Sequence, residues 1–377
     1  MQFEIHLLQS FPPANLNRDE NGMPKSTVFG GRPRARISSQ CQKRAMRQFY
    51  HQHSELTPQQ FAHRSRAWMP ELKALLEGES IAPEQAETVA KLALEVLGAK
   101  FEEDKVESNT ILFLGKTEIA AIADILIKNW AVIEPGLSSN KPELPKKDPN
   151  ISKVIEKALV AGGKPGDVAL FGRMMASLPT VNVDAAVQVA HAIGVNALQQ
   201  EFDFFTAVDD LGASDDSGAD HMGETGYNSS TYYRFTTLDT QQLLHNLGDD
   251  THLEAIITAF AQAFIRAIPT GHQNAFAAHS LPAVIFCVAR QGQPISLVDA
   301  FEKPVRPNQY SLLENALTAL DGHWDGLTGI YGDSAVQYRG IVVLPKLAER
   351  LKILKPYQEK TVDTLVAKAV AAALGDK

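Results

Sequence analysis

The stretch Asn15–Tyr50 reads NLNRDENGMPKSTVFGGRPRARISSQCQKRAMRQFY and differs sharply in charge from the rest of the 377-residue chain. It holds eight basic and two acidic side chains, so its net charge is +6, whereas the whole protein has a net charge of −8. Subtracting +6 from −8 leaves −14 for all other residues. A basic island in an acidic protein predicts a local surface for a polyanion. We call Asn15–Tyr50 the basic segment.

The basic segment predicts a turn, a strand and a helix in succession. Gly30-Gly31 allows a tight turn or a close approach to another backbone. Arg32, Arg34 and Arg36 then alternate with a period of two, which places their guanidinium groups on one side of an extended strand. Ser39 followed by Gln42 matches a capping box, so we expect a helix to begin there.

The predicted helix carries two stripes at helical spacing. Its apolar stripe is Cys41, Ala45 and Phe49, and its polar, mostly cationic stripe is Gln40, Lys43, Arg44 and Arg47. Free N–H groups in the first turn favour a phosphate. Solvated charges around an ordinary loop and helix are the alternative interpretation of the same pattern.

Length and composition indicate a globular protein of more than one lobe. The 377 residues exceed a single typical domain, and a hydrophobic fraction of 44% is enough for a proper core. Cys41 and Cys287 lie far apart in apolar settings, which favours reduced thiols and a cytoplasmic protein. We expect neither a signal peptide nor a membrane partner, because no stretch has the required apolar run.

Further along the chain, hydrophobic periodicity predicts mixed strands and helices. Residues 2–10 alternate as in a half-buried strand, and 57–178 is mainly helical, with Pro83–Leu97 as its clearest helix. Val183–Ala197 predicts a central strand that contains His191 as a core histidine. The other elements are predicted strands at Ser229–Leu238, Leu281–Ala289 and Tyr338–Leu344, and helices at Leu253–Ile268 and Ser311–Leu320.

Glu201–Glu224 is an acidic stretch with eight carboxylates, no lysine or arginine, and phenylalanines at one end. Taken alone, it indicates a flexible acidic loop or a cation site. Its acids do not keep the fixed offsets of a calcium-binding loop, so we predict no metal.

Four blocks in order resemble the CasC family, the guide-RNA-binding backbone subunit of the type I-E CRISPR Cascade complex. They are NLNRD…FGGRPRARISSQ…KRAMR, Val168–Met174, Phe204–Leu211 and Asp299–Lys303. The resemblance implies an α+β fold with a ferredoxin-like or RNA-recognition-motif-like palm (1–56 and 181–377). It also implies a helical fingers insertion (57–180) and an acidic protruding thumb loop (199–228).

The resemblance also implies partners and a binding surface. The implied partners are CRISPR guide RNA (crRNA), a target DNA strand paired through that guide, further copies of the chain and other Cascade subunits. Phosphate contacts or hydrogen bonds are expected from Arg18, Lys25, Arg32, Arg34, Arg36, Ser38, Ser39, Gln40, Lys43, Arg44 and Arg47. The remaining RNA-binding predictions are Arg173 for a phosphate, Met174 against a base, Phe204, Phe205 and Thr206 at the thumb, and Lys303 and Arg306.

From the residues alone, the Asp167–Met175 segment is equally well interpreted as a plain core helix. No nucleotide-binding loop, zinc pattern or nucleophile elbow occurs, so we predict no enzyme activity, catalytic residue, cofactor or metal.

Two other functions remain open. One is a metal-dependent ribonuclease that uses Asp19, by analogy with the backbone subunits of type III effector complexes. The other is a metabolic enzyme that binds a phosphorylated small molecule at Gly30-Gly31. Divalent-metal-dependent RNA cleavage would identify the first, and retention of nucleotides in place of long RNA would identify the second.

Overall fold

A computed structural model describes residues 1–102, 105–139, 141–207 and 221–375. They divide into two compact units. Unit 1 comprises Met1–Ser54, Gln188–Thr240 and Ile257–Lys377, and unit 2 comprises Glu55–Val187 and Gln241–Ile256. Within the described ranges, no helix is both long and apolar enough to cross a membrane.

The secondary structure mixes short and long strands with helices throughout. The strands are β1 (Gln2–Ala14), β2 (Ser26–Phe29), β3 (Arg32–Ile37), β4 (Ala62–Ser65), β5 (Leu112–Gly115), β6 (Val187–Val189), β7 (Ala192–Gly194), β8 (Gln200–Ala207), β9 (His221–Asp239), β10 (Val284–Arg290) and β11 (Val336–Val343). The helices are α1 (Ser39–His53), α2 (Met69–Glu77), α3 (Pro83–Val96), α4 (Lys116–Lys128), α5 (Trp130–Leu137), α6 (Ile151–Ala161), α7 (Gly166–Phe171), α8 (Thr240–Leu247), α9 (Leu253–Arg266), α10 (Gln273–Phe276), α11 (Leu312–Tyr331) and α12 (Val362–Leu374).

Unit 1 is built on an antiparallel sheet with β1 near its centre. The strand order is β11-β10-β1-β9-β7-β3-β2. Strands β10 and β9 flank β1, and β7 follows β9, all antiparallel to their neighbours. With α1 after β1 and α9 after β9, the chain forms the β-α-β-β-α-β arrangement of ferredoxin-like folds. The predicted α+β class is confirmed.

The prediction that β1 is a half-buried strand is wrong, because both of its faces are buried. Phe3 and Ile5 on one face are fully buried, and so are Glu4 and His6 on the other. The Glu4 carboxylate pairs with Arg290 at 2.8 Å and accepts a hydrogen bond from the backbone N–H of Ile295 at 2.9 Å. The polar residues of this strand are therefore paired inside the protein instead of solvated.

One face of the sheet holds α1 through a buried arginine. Arg234 of β9 donates hydrogen bonds to the side-chain oxygens of Gln42 at 3.1 Å and Gln9 at 2.6 Å. A third bond goes to the carbonyl of Phe264 on α9 at 2.9 Å. Burial lowers the pKa of this guanidinium to about 10, so it keeps its charge at neutral pH. The network joins both helices to the strands.

The predicted central strand at 183–197 is instead two short strands, β6 and β7. His191 lies between them and is exposed, so the prediction of a core histidine is also wrong. Its Nδ1 atom lies 3.0 Å from the guanidinium of Arg36. The chain between the two short strands therefore makes a polar contact at the surface.

Unit 2 is mainly helical and has its own apolar core. The core contains Leu72, Val89, Ile122 and Ile155 from four helices, and Trp68 donates a hydrogen bond to the carbonyl of Leu112 at 3.2 Å. The predicted helix at 83–97 is confirmed as α3.

Candidate nucleic-acid interface

The interface begins with the hairpin of β2 and β3, in which Gly30-Gly31 forms the two-residue turn. The two glycines have φ angles of 57° and 69°, in the left-handed region. Gly30 has a second requirement, because a Cβ there would overlap the carbonyl oxygen of Glu302. The turn thus rests directly on the backbone of the 301–306 loop.

Arg34 in this hairpin is fully buried and bonds only to main-chain oxygens. Its Nη1 atom donates to the carbonyls of Gly194 at 3.0 Å and Val195 at 3.2 Å. Its Nη2 atom donates to the carbonyls of Phe301 at 2.9 Å and Glu302 at 2.7 Å. The prediction of an exposed, phosphate-binding Arg34 is therefore wrong.

The alternation of Arg32, Arg34 and Arg36 correctly predicts that their side chains lie on one side of the strand. It does not predict which of the three side chains are exposed to solvent. Arg32 is exposed and Arg36 is half-buried, whereas the main chain at 194–195 and 301–302 covers Arg34 between them. Two arginines of this strand are left to face a ligand.

Both Arg36 and an exposed arginine of the preceding loop, Arg18, are held by histidines. The guanidinium of Arg18 lies 2.8 Å from Nε2 of His272. Arg36 donates from Nη1 to Nδ1 of His191 at 3.0 Å and from Nε to the carbonyl of Ser26 at 3.1 Å. Burial first, and then the charges of Arg36 and Lys25, lower the pKa of His191.

Helix α1 begins one residue earlier than the predicted capping box. Its N-cap is Ser38, whose hydroxyl accepts from the backbone N–H of Cys41 at 3.3 Å. The backbone N–H of Ser38 donates to Oδ1 of Asn17 at 2.8 Å, which connects the helix start to the basic loop. The Gln42 side chain points into the core, where it donates to the carbonyl of Ala190 at 2.8 Å. It therefore has no capping role.

Helix α1 has a buried and a more exposed stripe, but of the predicted Cys41, Ala45 and Phe49 only Ala45 is buried. The buried residues are Gln42, Ala45, Met46 and Tyr50. Gln40 and Arg44 are exposed, while Ser39, Lys43 and Arg47 are half-buried. The predicted cationic stripe thus lies on the outer side of the helix.

An open cavity of about 640 Å³ lies beside α1. Arg18, Arg44 and His272 line it, together with Asp19 and Glu20. Asp19 accepts hydrogen bonds from the backbone N–H groups of Asn21 at 2.9 Å and Met23 at 3.0 Å. This carboxylate closes a local turn.

The thumb is a β-ribbon where the structure describes it, and residues 208–220 of the predicted loop lie outside the described residues. Strand β8 pairs with the first part of β9 from Gln200↔Asn228 to Ala207↔His221. Phe204 and Phe205 are 63% and 52% exposed, on opposite faces of the ribbon, and Thr206 is also exposed. At the base, the carbonyl of Gly226 accepts from the Asn15 side chain at 2.9 Å.

In unit 2, the structure separates two residues that were predicted to act together. Arg173 is buried and its Nη1 atom lies 2.7 Å from a carboxylate oxygen of Glu118. The prediction of a phosphate contact by Arg173 is wrong, because a buried carboxylate already occupies the guanidinium. Met174 is 84% exposed and remains available for a ligand.

Lys303 and Arg306 are both exposed on the loop that Arg34 binds. The backbone N–H of Val305 donates to the carbonyl of Val195 at 2.9 Å, which fixes this loop against β7. Unit 1 therefore carries Lys303 and Arg306 on the loop that contacts the hairpin and β7.

Sequence reasoning missed His272 and Asn17 and misplaced His191. The pattern Gly271-His272 offered one signal, since a glycine permits close contact with another chain segment. A Cβ at Gly271 would overlap the carbonyl oxygen of Leu16, so the 269–272 loop presses against the backbone near Arg18. No local sequence pattern showed that His272 bonds to Arg18, His191 to Arg36 or Asn17 to Ser38.

Comparisons with known proteins agree with this architecture. A chain of a "CRISPR RNA-guided surveillance complex, pre-nicking" is similar at 30% identity with a TM-score of 0.84, covering 99% of this chain and 100% of that one. A chain of a second "CRISPR RNA-guided surveillance complex" has the same fold, with 24% identity, a TM-score of 0.73 and the same coverage. No curated protein matches the chain.

The fold is that of chains found in CRISPR RNA-guided surveillance complexes. The family of CT1975-like proteins matches residues 3–368, and the chain belongs to this family. The family resemblance drawn from the four sequence blocks is confirmed.

Replacing Arg34 with Met should lower the free energy of unfolding by about 2–4 kcal/mol, because buried carbonyls lose their donors. Urea denaturation of the Arg34→Met and Arg32→Ala variants measures the difference. Arg32 is exposed, and its replacement should change stability by less than about 0.5 kcal/mol. Equal stability of the two variants would contradict the assigned role of Arg34.

Replacing Arg173 with Ala should destabilise the protein by about 3–5 kcal/mol, since the buried carboxylate of Glu118 loses its ion-pair partner. The Arg173→Met/Glu118→Met double variant should recover much of this loss. The control is Lys73→Ala, which breaks a partly exposed pair with Glu87 and should cost less than about 1 kcal/mol. Normal stability of Arg173→Ala with weakened RNA binding would restore the phosphate-contact interpretation.

Proposed function

We propose that this protein is the backbone subunit of a type I-E CRISPR surveillance complex that assembles along crRNA in the cytoplasm. The observation that carries the proposal is the cationic surface of unit 1, with three exposed arginines in the basic segment: Arg18, Arg32 and Arg44. The surface continues with half-buried Lys25, Arg36, Lys43 and Arg47, and with exposed Lys303 and Arg306.

Such a surface suits a protein that must accept any guide. Guanidinium and ammonium groups bind phosphates, which are the same at every position of an RNA, so affinity is independent of sequence. The guide bases would stay free to pair with the target DNA strand, so base pairing would read the sequence and the protein would read backbone and shape.

The thumb supports assembly of several copies. Phe204 and Phe205 present aromatic rings to solvent on both faces of the ribbon. Exposed rings can stack on bases or separate them without regard to sequence. The acidic residues Glu201 and Asp203 are exposed on the same ribbon and would suit the basic surface of a neighbouring copy. Other Cascade subunits would complete the complex.

A metal-dependent ribonuclease is the second candidate function, because Asp19 lines the cavity next to Arg18 and Arg44. In this alternative, Arg18 and Arg44 would bind an RNA phosphate and the Asp19 carboxylate would hold a divalent cation next to it. Among the described residues, however, no group of three His, Cys, Asp or Glu side chains could hold a metal ion. We therefore favour the binding function.

We expect the Arg18→Ala/Arg32→Ala/Arg44→Ala variant to bind long single-stranded RNA more weakly and with a smaller salt dependence. Each lost phosphate contact should lower the slope of log K against log salt by about 0.7, so the slope should fall by about 2. Filter binding or fluorescence anisotropy across a salt series measures it.

The matched control replaces Lys346, Lys352 and Lys360 with Ala, which changes the net charge equally at three exposed lysines outside the predicted surface. It should keep the wild-type slope. Equal slopes for both triple variants would refute the phosphate-binding surface.

The same samples with Mg²⁺ or a chelator test the nuclease alternative. RNA that is shortened only with Mg²⁺, and that stays intact with the Asp19→Asn variant, would establish a nuclease.

Replacing both Phe204 and Phe205 with Leu should weaken RNA binding by about 1–3 kcal/mol per lost stacking contact while leaving the salt slope unchanged. Stacking contributes no counterion release, so affinity and salt dependence should separate. Leu327→Ala, a change in partly buried packing, serves as a stability control. An undiminished affinity would show that these rings do not contact the RNA.

A further inference from the structure

Two basic residues of the interface are bonded to histidines, although carboxylates are the usual partners of arginine. Arg18 contacts Nε2 of His272 at 2.8 Å, and Arg36 contacts Nδ1 of His191 at 3.0 Å. Within the described ranges, no carboxylate lies within 4.0 Å of either guanidinium. The arginines keep their full positive charge, because a neutral imidazole supplies an acceptor without a negative charge.

The hydrogen bonds fix the state of both rings. Arginine has only donors, so the contacted ring nitrogen must carry a lone pair. His272 must therefore hold its proton on Nδ1, and His191 must hold its proton on Nε2. A second proton on either ring would break the bond and place two positive charges side by side.

The surroundings of each histidine favour the neutral ring. Burial and then the charge of Arg18 lower the pKa of His272. Arg44, Asp19 and Glu20 line the same cavity as this pair. For His191, burial, Arg36 and Lys25 lower the pKa in that order. Both rings therefore stay neutral below the pH at which an ordinary histidine would titrate.

The backbone conformation at His272 also indicates that the fold holds its contact with Arg18 in place. Its φ angle is 49°, a left-handed conformation that few residues with a side chain adopt. Gly271, directly before it, packs on the carbonyl of Leu16, two residues before Arg18 in the chain. The loop thus holds an unfavourable backbone conformation while its imidazole meets the guanidinium.

We propose that His191 and His272 are positioning residues that orient Arg36 and Arg18 toward RNA phosphates while leaving each arginine fully charged. This inference rests on the proposed RNA-binding function. Each guanidinium uses one N–H for its histidine and retains others for a phosphate. A carboxylate in the same place would orient the arginine equally well but would repel the phosphate.

The first test measures the rings in the free protein by nuclear magnetic resonance of ¹⁵N-labelled histidine. His272 should appear as the Nδ1–H tautomer and His191 as the Nε2–H tautomer at pH 7.5. Arg18→Ala should raise the pKa of His272 and leave that of His191 unchanged, and Arg36→Ala should do the reverse. Each variant controls for the other. If the ring signals of His272 do not change in Arg18→Ala, or those of His191 in Arg36→Ala, the assigned arginine–histidine pairs are wrong.

The second test is a double-mutant cycle in RNA affinity at pH 7.5. His272→Ala should weaken binding about fivefold, the effect of one lost hydrogen bond. It should cause no further loss in the Arg18→Ala background, because the histidine acts only through that arginine. His272→Asp should bind more weakly than His272→Ala, since the carboxylate neutralises Arg18. Circular dichroism and thermal midpoints verify folding.

The outcomes separate this inference from the proposed function. Equal losses from His272→Ala with and without Arg18 would mean that the ring contacts RNA itself, which overturns the positioning role. An unchanged affinity of His272→Ala, with Arg18→Ala weakened, would overturn it as well. If Arg18→Ala, Arg36→Ala and the exposed-arginine triple variant all bind RNA normally, the RNA-binding function fails instead, whatever the ring states.

Discussion

The interface of unit 1 depends on a single buried guanidinium. Arg34 joins the β2–β3 hairpin to the end of β7 and to the 301–306 loop through four carbonyl oxygens. The arginine supplies a hydrogen-bond donor to each of these carbonyls, so it satisfies the backbone at a place where three segments converge. The exposed cations on those segments, Arg32 and Lys303 among them, take their positions from it.

The basic segment therefore uses its charges in two ways. Arg34, together with Arg234 of β9, is enclosed by neutral oxygens and builds the protein, whereas Arg18 and Arg44 face solvent. Arg34, Arg234 and the two arginines held by histidine all bond to neutral acceptors. Within the described residues, these four guanidinium groups are thus oriented without a carboxylate in contact with them. The effective charge of the surface is set by exposure and pairing more than by composition.

Much of the architecture was predictable from periodicity, because strands such as β10 and helices such as α3 have local patterns that their packing does not override. The turn at Gly30-Gly31 and the outward stripe of α1 were predictable for the same reason. The burial of Arg34 was not predictable, since the carbonyl of Phe301 that covers it lies 267 positions further along the chain. The role of His272 was missed for the same reason, because its contact with Arg18 joins residues that are distant in the sequence. The burial of Arg173 likewise required knowing where Glu118 lies.

Strand β9 is continuous from the thumb into the middle of the sheet, over the 19 residues His221–Asp239. At about 3.3 Å per residue it extends roughly 60 Å. Its inner part pairs antiparallel with β1, with hydrogen bonds perpendicular to the strand. A force applied along the ribbon would load many of these bonds at once in shear, instead of opening them one after another. The thumb is therefore mechanically continuous with the middle of the sheet, and a pull along it would reach β1.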